Sequence, residues 1–269
     1  MSLVPLTDYK TIQPLLDADF WGTVRIRHFI YRNPQEGYQF WVDDPAHPQS
    51  VFINWKDYPQ ACVEIYCADP AGYPQILAEE PPASCKFFAA VPQEVREFLH
   101  GKYRFRYENR CHAYALKDPS RFTGQASPLV GSLRPEHSPI VAKSWPYTSG
   151  EGEVEHFRMM IERFPSAAYY RDELPIAFCI LHDDGSMGAL YVEPKFRGQG
   201  LGKLVAETFV VRLMEADFPI YCSIIQTNKV SINLTEKMGL ERFMERTWLG
   251  VSKLPRKRKN EIIRIKKQP

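Results

Sequence analysis

MGALYVEPKFRGQGLGKLVAETFVVRLM, residues 187–214, holds three elements in succession. Residues 189–192 are a short apolar, strand-like run, and Pro194 ends it because proline has no N–H to give a ladder. Next comes Arg197-Gly198-Gln199-Gly200-Leu201-Gly202. Then Leu201, Leu204, Val205, Phe209 and Leu213 recur at helical spacing. Strand, glycine-rich turn and helix together build an anion site. Glycines let the backbone approach a ligand closely, and the free N–H groups of the first helical turn, at the positive end of the helix dipole, hold phosphate oxygens.

The loop is selective about which phosphate ligand it suits. A dinucleotide fingerprint needs Gly-x-Gly-x-x-Gly, and here the third glycine comes one residue early, at Gly202. A Walker loop needs glycine where Arg197 stands and Ser or Thr where Leu204 stands. What fits is Arg-x-x-Gly-x-Gly, as Arg197, Gly200 and Gly202. That pattern resembles the acyl-CoA pyrophosphate loop of the GCN5-related N-acetyltransferase (GNAT) superfamily.

The neighbouring elements agree with that resemblance. Residues 153–164 form an amphipathic helix pattern stopped by Pro165, and residues 167–170 and 176–181 read as strands. Asp183-Asp184-Gly185 is a tight turn into 189–192. After the long helix come a strand at 219–225, a helix at 228–238 ended by Gly239, and a strand at 243–251. That is the element order of the GNAT fold. Asn228, Ser231, Leu234 and Glu236-Lys237-Met238-Gly239-Leu240 are similar to a second motif of the superfamily.

Three further segments resemble the glycine N-acyltransferase-like branch: Phe164-Pro165-Ser166, Pro175-Ile176-Ala177-Phe178 and Phe218-Pro219-Ile220-Tyr221-Cys222. The resemblance is specific over 150–245. It is looser over 20–145, at Gly22-Thr23-Val24, Asn33-Pro34 and Trp55-Lys56-Asp57-Tyr58.

The rest of the chain sets bounds. It has 269 residues, 44% hydrophobic and 25% charged, enough for two domains. No apolar run approaches the ~20 residues that cross a bilayer. The first twenty residues lack a signal-peptide core and an Arg-rich transit pattern. Six cysteines show no CxxC pair and no zinc spacing, so reduced thiols and no metal are expected. Residues 253–269 carry eight Lys or Arg against one Glu, in a chain of net +2, so the body is acidic. An acidic body with one basic segment is not a nucleic-acid footprint. The segment reads as a charged turn between strands at 246–251 and 261–266.

In the N-terminal half, 23–27, 38–42, 51–54, 63–67 and 103–107 alternate like strands, and 94–100 is a helix candidate. Cys111 and His112 are adjacent in a strand, so they point to opposite faces and cannot share a proton. Residues 127–144, with three prolines, read as a linker. The expected fold class is α/β with a mixed sheet. An N-terminal mixed α/β domain (1–141), a degenerate GNAT-like copy, precedes an acyl-CoA-binding GNAT domain (142–269). A fragment beginning near Ala142 is expected to keep much of the site.

The resemblance also implies roles. Two neighbouring parallel strands splay, and backbone groups of Leu190, Tyr191 and Val192 bond the pantetheine amides. The N–H groups of Gly198, Gln199, Gly200, Leu201 and Gly202 take the pyrophosphate, with charge from Arg197 and Lys203. Asn228 lies near the pantetheine arm or caps its helix. Acetyl-CoA or another acyl-CoA is the co-substrate, without a metal. At the positions where the family carries a glutamate base and a tyrosine acid, this chain has Ser186 and Thr235. Neither has a useful pKa, which leaves His182, expected at the surface, and Glu193 as titratable alternatives.

Three functions stay open: N-acylation of a small amine such as glycine, acetylation of a protein or polyamine, and acyl-CoA binding without turnover. No membrane or nucleic-acid partner is expected. The expected location is the cytoplasm, with mitochondrion and nucleus open.

Overall fold

The computed structural model describes residues 3–34, 37–55, 62–76, 87–147 and 152–253. Their strands are β1 (Val4–Pro5), β2 (Tyr38–Val42), β3 (Ser50–Trp55), β4 (Cys62–Cys67), β5 (Phe87–Val91), β6 (Arg104–Ala115), β7 (Val130–Gly131), β8 (Ser166–Arg171), β9 (Leu174–Leu181), β10 (Met187–Val192), β11 (Tyr221–Ile225) and β12 (Glu241–Lys253). All twelve lie in one sheet, in the order β1-β2-β3-β4-β5-β12-β6-β11-β10-β9-β8-β7. The helices are α1 (Gln13–Ala18), α2 (Val24–Arg27), α3 (Tyr73–Ile76), α4 (Gln93–Lys102), α5 (Ser138–Ser144), α6 (Glu153–Arg163), α7 (Leu201–Glu215) and α8 (Lys229–Lys237). The mixed α/β class read from the sequence is the one observed.

From either edge of the sheet, five strands run inward in chain order, and the two long strands β6 and β12 fill the middle. β12 lies between β5 and β6, and β6 lies between β11 and β12. Each long strand is therefore inserted among the strands of the other half. They pair antiparallel from Glu241↔Ala115 to Lys253↔Arg104. Residue 141 falls inside α5, and β6, which precedes it, pairs with both β11 and β12. A fragment beginning near Ala142 would lack that strand.

One large core packs β8–β11 against α6 and α7, around Phe157, Phe178, Ile180, Phe209 and Leu213. Two smaller cores lie in the N-terminal half, around Phe29 and Phe40 and around Phe88 and Leu99. Val24, Ala115 and Tyr221 join the halves, with Trp21 and Phe243 packed against them.

Two sequence expectations change. Residues 23–27 alternate on paper, yet they form α2, which continues as a π-type turn, His28–Arg32. The apparent polar side of the alternation is itself buried: Arg25 is 3% exposed because it makes two 2.8 Å bonds to Glu64. Residues 127–144 hold β7 and α5, with Val130, Leu133, Val141 and Ala142 buried. Arg212 on α7 fastens this segment through the carbonyls of Val130 and Gly131. Proline content suggested a linker, but side-chain bonds from a distant helix give it a fixed path.

Among the described residues no helix is long and apolar enough to cross a membrane. No group of three or more His, Cys, Asp or Glu among them is placed to hold a metal. The basic segment 254–269, including the strand expected at 261–266, lies outside the described residues.

Candidate active site

The site begins where β10 and β11 part. They are parallel neighbours, and they pair at a single register point, Met187↔Cys222. On its other side β10 pairs with β9 from Met187↔Leu181 to Val192↔Ala177, with a bulge between Gly188 and Tyr191. Ala189 sits in that bulge at φ +47°, a left-handed conformation that costs a non-glycine residue roughly 1–3 kcal/mol. The bulge bends β10 away from β11, so the backbone of Leu190 and Val192 faces a cleft instead of a strand. Tyr191 is fixed by stacking on Phe178 at 5.2 Å and by donating its hydroxyl to Glu193 Oε2 at 3.1 Å.

At the open end of the cleft, Gly198 and Gly200 both adopt φ +79°, and Gly200 is the N-cap of α7. A Cβ on either would meet no atom of the described residues within 4 Å. The first backbone bond at this helix start is Leu204 N–H to Gly200 O, at 3.1 Å. The N–H groups of Leu201, Gly202 and Lys203 thus lie ahead of the helical ladder, as helix geometry requires. The rim is basic. Arg171 and Lys195 both lie over the Phe196 ring, and Arg197 and Lys203 are exposed. Arg197 Nε donates to Val192 O at 3.0 Å, which ties the loop to the end of β10. Lys203 pairs with Glu207 at 3.6 Å on the helix surface. Asn228 caps α8 by accepting from Ser231 N–H at 3.2 Å.

The proton-handling candidates are dispersed. Ser186 is buried, and both its N–H and its hydroxyl donate to Asp184 Oδ1, at 2.8 and 2.6 Å. Asp184 also pairs with Arg25, and the Tyr221 hydroxyl donates to its backbone carbonyl. Ser186 therefore belongs to a buried polar lattice between the halves. Thr235 is buried beneath the sheet, and its hydroxyl holds the Cys222 thiol, which burial nonetheless pushes up to about 12.

His182 lies inward of the surface position expected from the sequence. Its ring packs against Trp145 at 5.1 Å and over Gly188, where a Cβ would collide with Nε2. Burial lowers its pKa to about 4, against the pull of Asp183, so it is neutral at pH 7. Asp183 is next to it and holds His156 Nε2 at 3.1 Å. Burial alone would raise the Asp183 carboxyl, but the charge and hydrogen bond of His156 bring it below its ordinary value. Of Ser186, His182 and Glu193, only His182 places its ring against the β10 bulge.

Neither the His156–Asp183 pair nor the Trp145 cover has a local signature in the chain. The small pair Gly188-Ala189 was a usable signal for the bulge, since glycine inside a strand marks a bulge or a close approach.

Comparison with known proteins agrees with this geometry. Residues 172–249 match the FR47-like protein family. A glycine N-acyltransferase-like protein of Mus musculus is 26% identical over 102 residues, covering 38% of this chain and 34% of that protein. The matched stretch thus spans about a third of that relative. A Drosophila protein of known X-ray structure superposes with a TM-score of 0.73 at 18% identity, covering 93% of this chain and 98% of its own. A tandem GNAT protein from the clavulanic acid biosynthesis pathway superposes at 0.54 and 12% identity, covering 92% and 97%. The fold of this chain is that of the tandem GNAT protein, and residues 172–249 are similar to the FR47-like family.

Proposed function

We propose that this protein is an acyl-CoA-dependent N-acyltransferase acting on a small amine, an amino acid such as glycine being the first choice. The observation that carries the proposal is the single-pair contact between β10 and β11 followed by the glycine-lined helix start. Leu190 and Val192 present backbone groups to the pantetheine arm as a strand partner would, while Tyr191, between them, turns its own toward β9. Val192 contributes through its N–H, because Arg197 occupies its carbonyl. The N–H groups of 198–203 receive the pyrophosphate, with Arg197 and Lys203 on the rim. Asn228 serves as a helix cap.

Acyl transfer joins the amine nitrogen to the thioester carbonyl carbon and breaks the C–S bond. In this reading a backbone N–H at the bulge steadies the oxyanion. The nitrogen becomes acidic as it bonds to carbon, and the neutral His182 imidazole is the base within reach of the bulge. The CoA thiolate leaves without an acid from Thr235. Glu193, tied to Tyr191, orients that ring and does not reach the transfer. The N-terminal unit (1–141) and the C-terminal unit (142–269) form two GNAT-like copies joined by their exchanged strands, with only the second holding CoA. Four buried free thiols among the described residues suit a cytoplasmic setting.

A non-catalytic acyl-CoA-binding protein is the second reading, favoured by the locked Ser186 and the buried Thr235. Incubation with acetyl-, longer-chain and aromatic acyl-CoAs and a panel of amino acids, polyamines and lysine peptides, with mass detection of products, separates the two. An N-acylated amino acid supports the first reading. Bound acyl-CoA with no product from any amine overturns it.

A further inference from the structure

Arg246 is a buried charged group outside the cleft residues described above. It lies on β12 directly opposite Cys111 of β6 and, through Cys111, in the row of Ile225 on β11. Neighbouring strands are ~4.8 Å apart, so its Cα is about 10 Å from the strand that forms one wall of the cleft. Directly opposed residues share a face, and so do alternate residues along a strand. Arg246, Cys111, Ile225 and the half-buried Ser223 therefore point the same way.

The Arg246 side chain is poorly satisfied for a buried cation. The residue is 3% exposed, and Nη1 has no hydrogen-bond partner. Nη2 reaches only the carbonyls of Trp21 and Gly22, at 3.3 and 3.4 Å. Arg246 has no ion pair among the described residues, because the neighbouring carboxylates are taken: Arg25 binds Glu64 through two bonds and Asp184 through another. Burial and the Arg25 charge together lower the Arg246 pKa to about 10. It remains a cation at neutral pH. A buried guanidinium with an open N–H, and with the nearby Glu64 and Asp19 carboxylates out of ion-pair contact, suits a carboxylate brought in from outside.

We propose that Arg246 is the receptor for the carboxylate of the acceptor, which makes the substrate class a short α-amino acid. The proposal rests on the acyltransferase assignment above. The carboxylate binds at Nη1, displacing the long Nη2 contacts to the 21–22 turn as needed, and the amine then points along the row toward β11 and the cleft. A polyamine or an uncharged amine leaves the guanidinium unpaired and is discriminated against. The protonated N–H groups give the carboxylate no proton, so Arg246 is a specificity residue and not a base.

The test compares glycine with glycinamide as acceptors, and the binding of N-acetylglycine by thermal shift, in wild type, Arg246→Gln and Arg246→Lys. Wild type is expected to have a lower KM for glycine than for glycinamide by roughly 10- to 100-fold, the range of one charge-assisted bond. Arg246→Gln removes that difference by raising KM for glycine, and leaves glycinamide turnover and acetyl-CoA affinity in place. Arg246→Lys keeps a reduced preference for glycine, and it carries the test should the Gln variant fail to fold. Equal effects on glycine and glycinamide, or none on either, overturn the proposal. If no amine is turned over at all, the acyltransferase assignment fails separately. N-acetylglycine binding that depends on Arg246 then still upholds the carboxylate receptor, and binding that ignores the substitution overturns it.

Discussion

Gly200→Ala separates the fold of this protein from its ligand. Gly200 has φ +79° and ψ −3° and caps α7 from the left-handed region. An L side chain there costs about 1–2 kcal/mol. No atom of the described residues lies within 4 Å of the added Cβ, so no steric clash with them adds to that cost. In a chain of this size 1 kcal/mol moves Tm by roughly 2–4 °C, so a loss of about 2–8 °C is expected without ligand. The effect on acyl-CoA is larger in kind. The methyl group occupies the space where a phosphate oxygen must come within hydrogen-bond distance of the 201–203 amides. Losing one or two charge-assisted bonds, each worth about 1.5–3 kcal/mol, weakens binding by roughly tenfold to roughly 20,000-fold. Calorimetric titration with acetyl-CoA alongside a thermal melt measures both. An acetyl-CoA Kd within twofold of wild type, with Tm lowered as expected, would refute the pyrophosphate assignment.

Other consequences follow from the same structure. Arg25→Met leaves Glu64 and Asp184 buried without their cation, and urea denaturation should record a loss of roughly 3–5 kcal/mol; a loss under 1 kcal/mol would mean that the lattice does not join the halves. His28 and His182 both have folded pKa values of about 4, set first by burial. Between about pH 6.5 and 4 the unfolded chain takes up their protons and the folded chain does not. Stability is therefore full above pH 6.5 and falls by about 1.4 kcal/mol per unit per histidine on acidification. Denaturant midpoints across that range check it, and His28→Gln should flatten the slope. His182→Ala should lower kcat roughly 10²–10⁴-fold with acetyl-CoA affinity kept, whereas a fall in affinity alone would assign the ring to packing. A 142–269 fragment lacks β6 from the middle of its sheet and should be insoluble or unfolded, and a soluble, acetyl-CoA-binding fragment would contradict the exchanged-strand arrangement.

Much of the C-terminal half was legible because its signals are local. Arg197 to Gly202, the Asp183-Asp184-Gly185 turn and the Asn228 cap each act within a few residues of themselves, and periodicity exposes α6 and α7 directly. The middle of the sheet was not legible. Nothing in residues 104–115 or 241–253 says that each strand lies among the other half's strands, since pairing partners over a hundred residues away leave no trace in local pattern. Arg25 misled for a related reason. A polar residue made buried by distant carboxylates looks like the wet side of a strand, and α2 was read as one. Ser186 stands where the sequence resemblance implies a base, but its hydroxyl is drawn to Asp184, and Asp184 is drawn to Arg25 from the other half. Arg246 gave no signal at all, because only the tertiary structure holds it out of ion-pair contact with the carboxylates nearby.

Hydrogen exchange with and without acetyl-CoA locates the ligand on the chain, since it reports each amide by position. Saturating acetyl-CoA should slow exchange at 190–192 on β10 and at 198–203 around the start of α7, and should leave β2 and β3 unchanged. Protection confined to β2–β5, or binding with no protection at either of the first two segments, would place the ligand elsewhere and contradict the account.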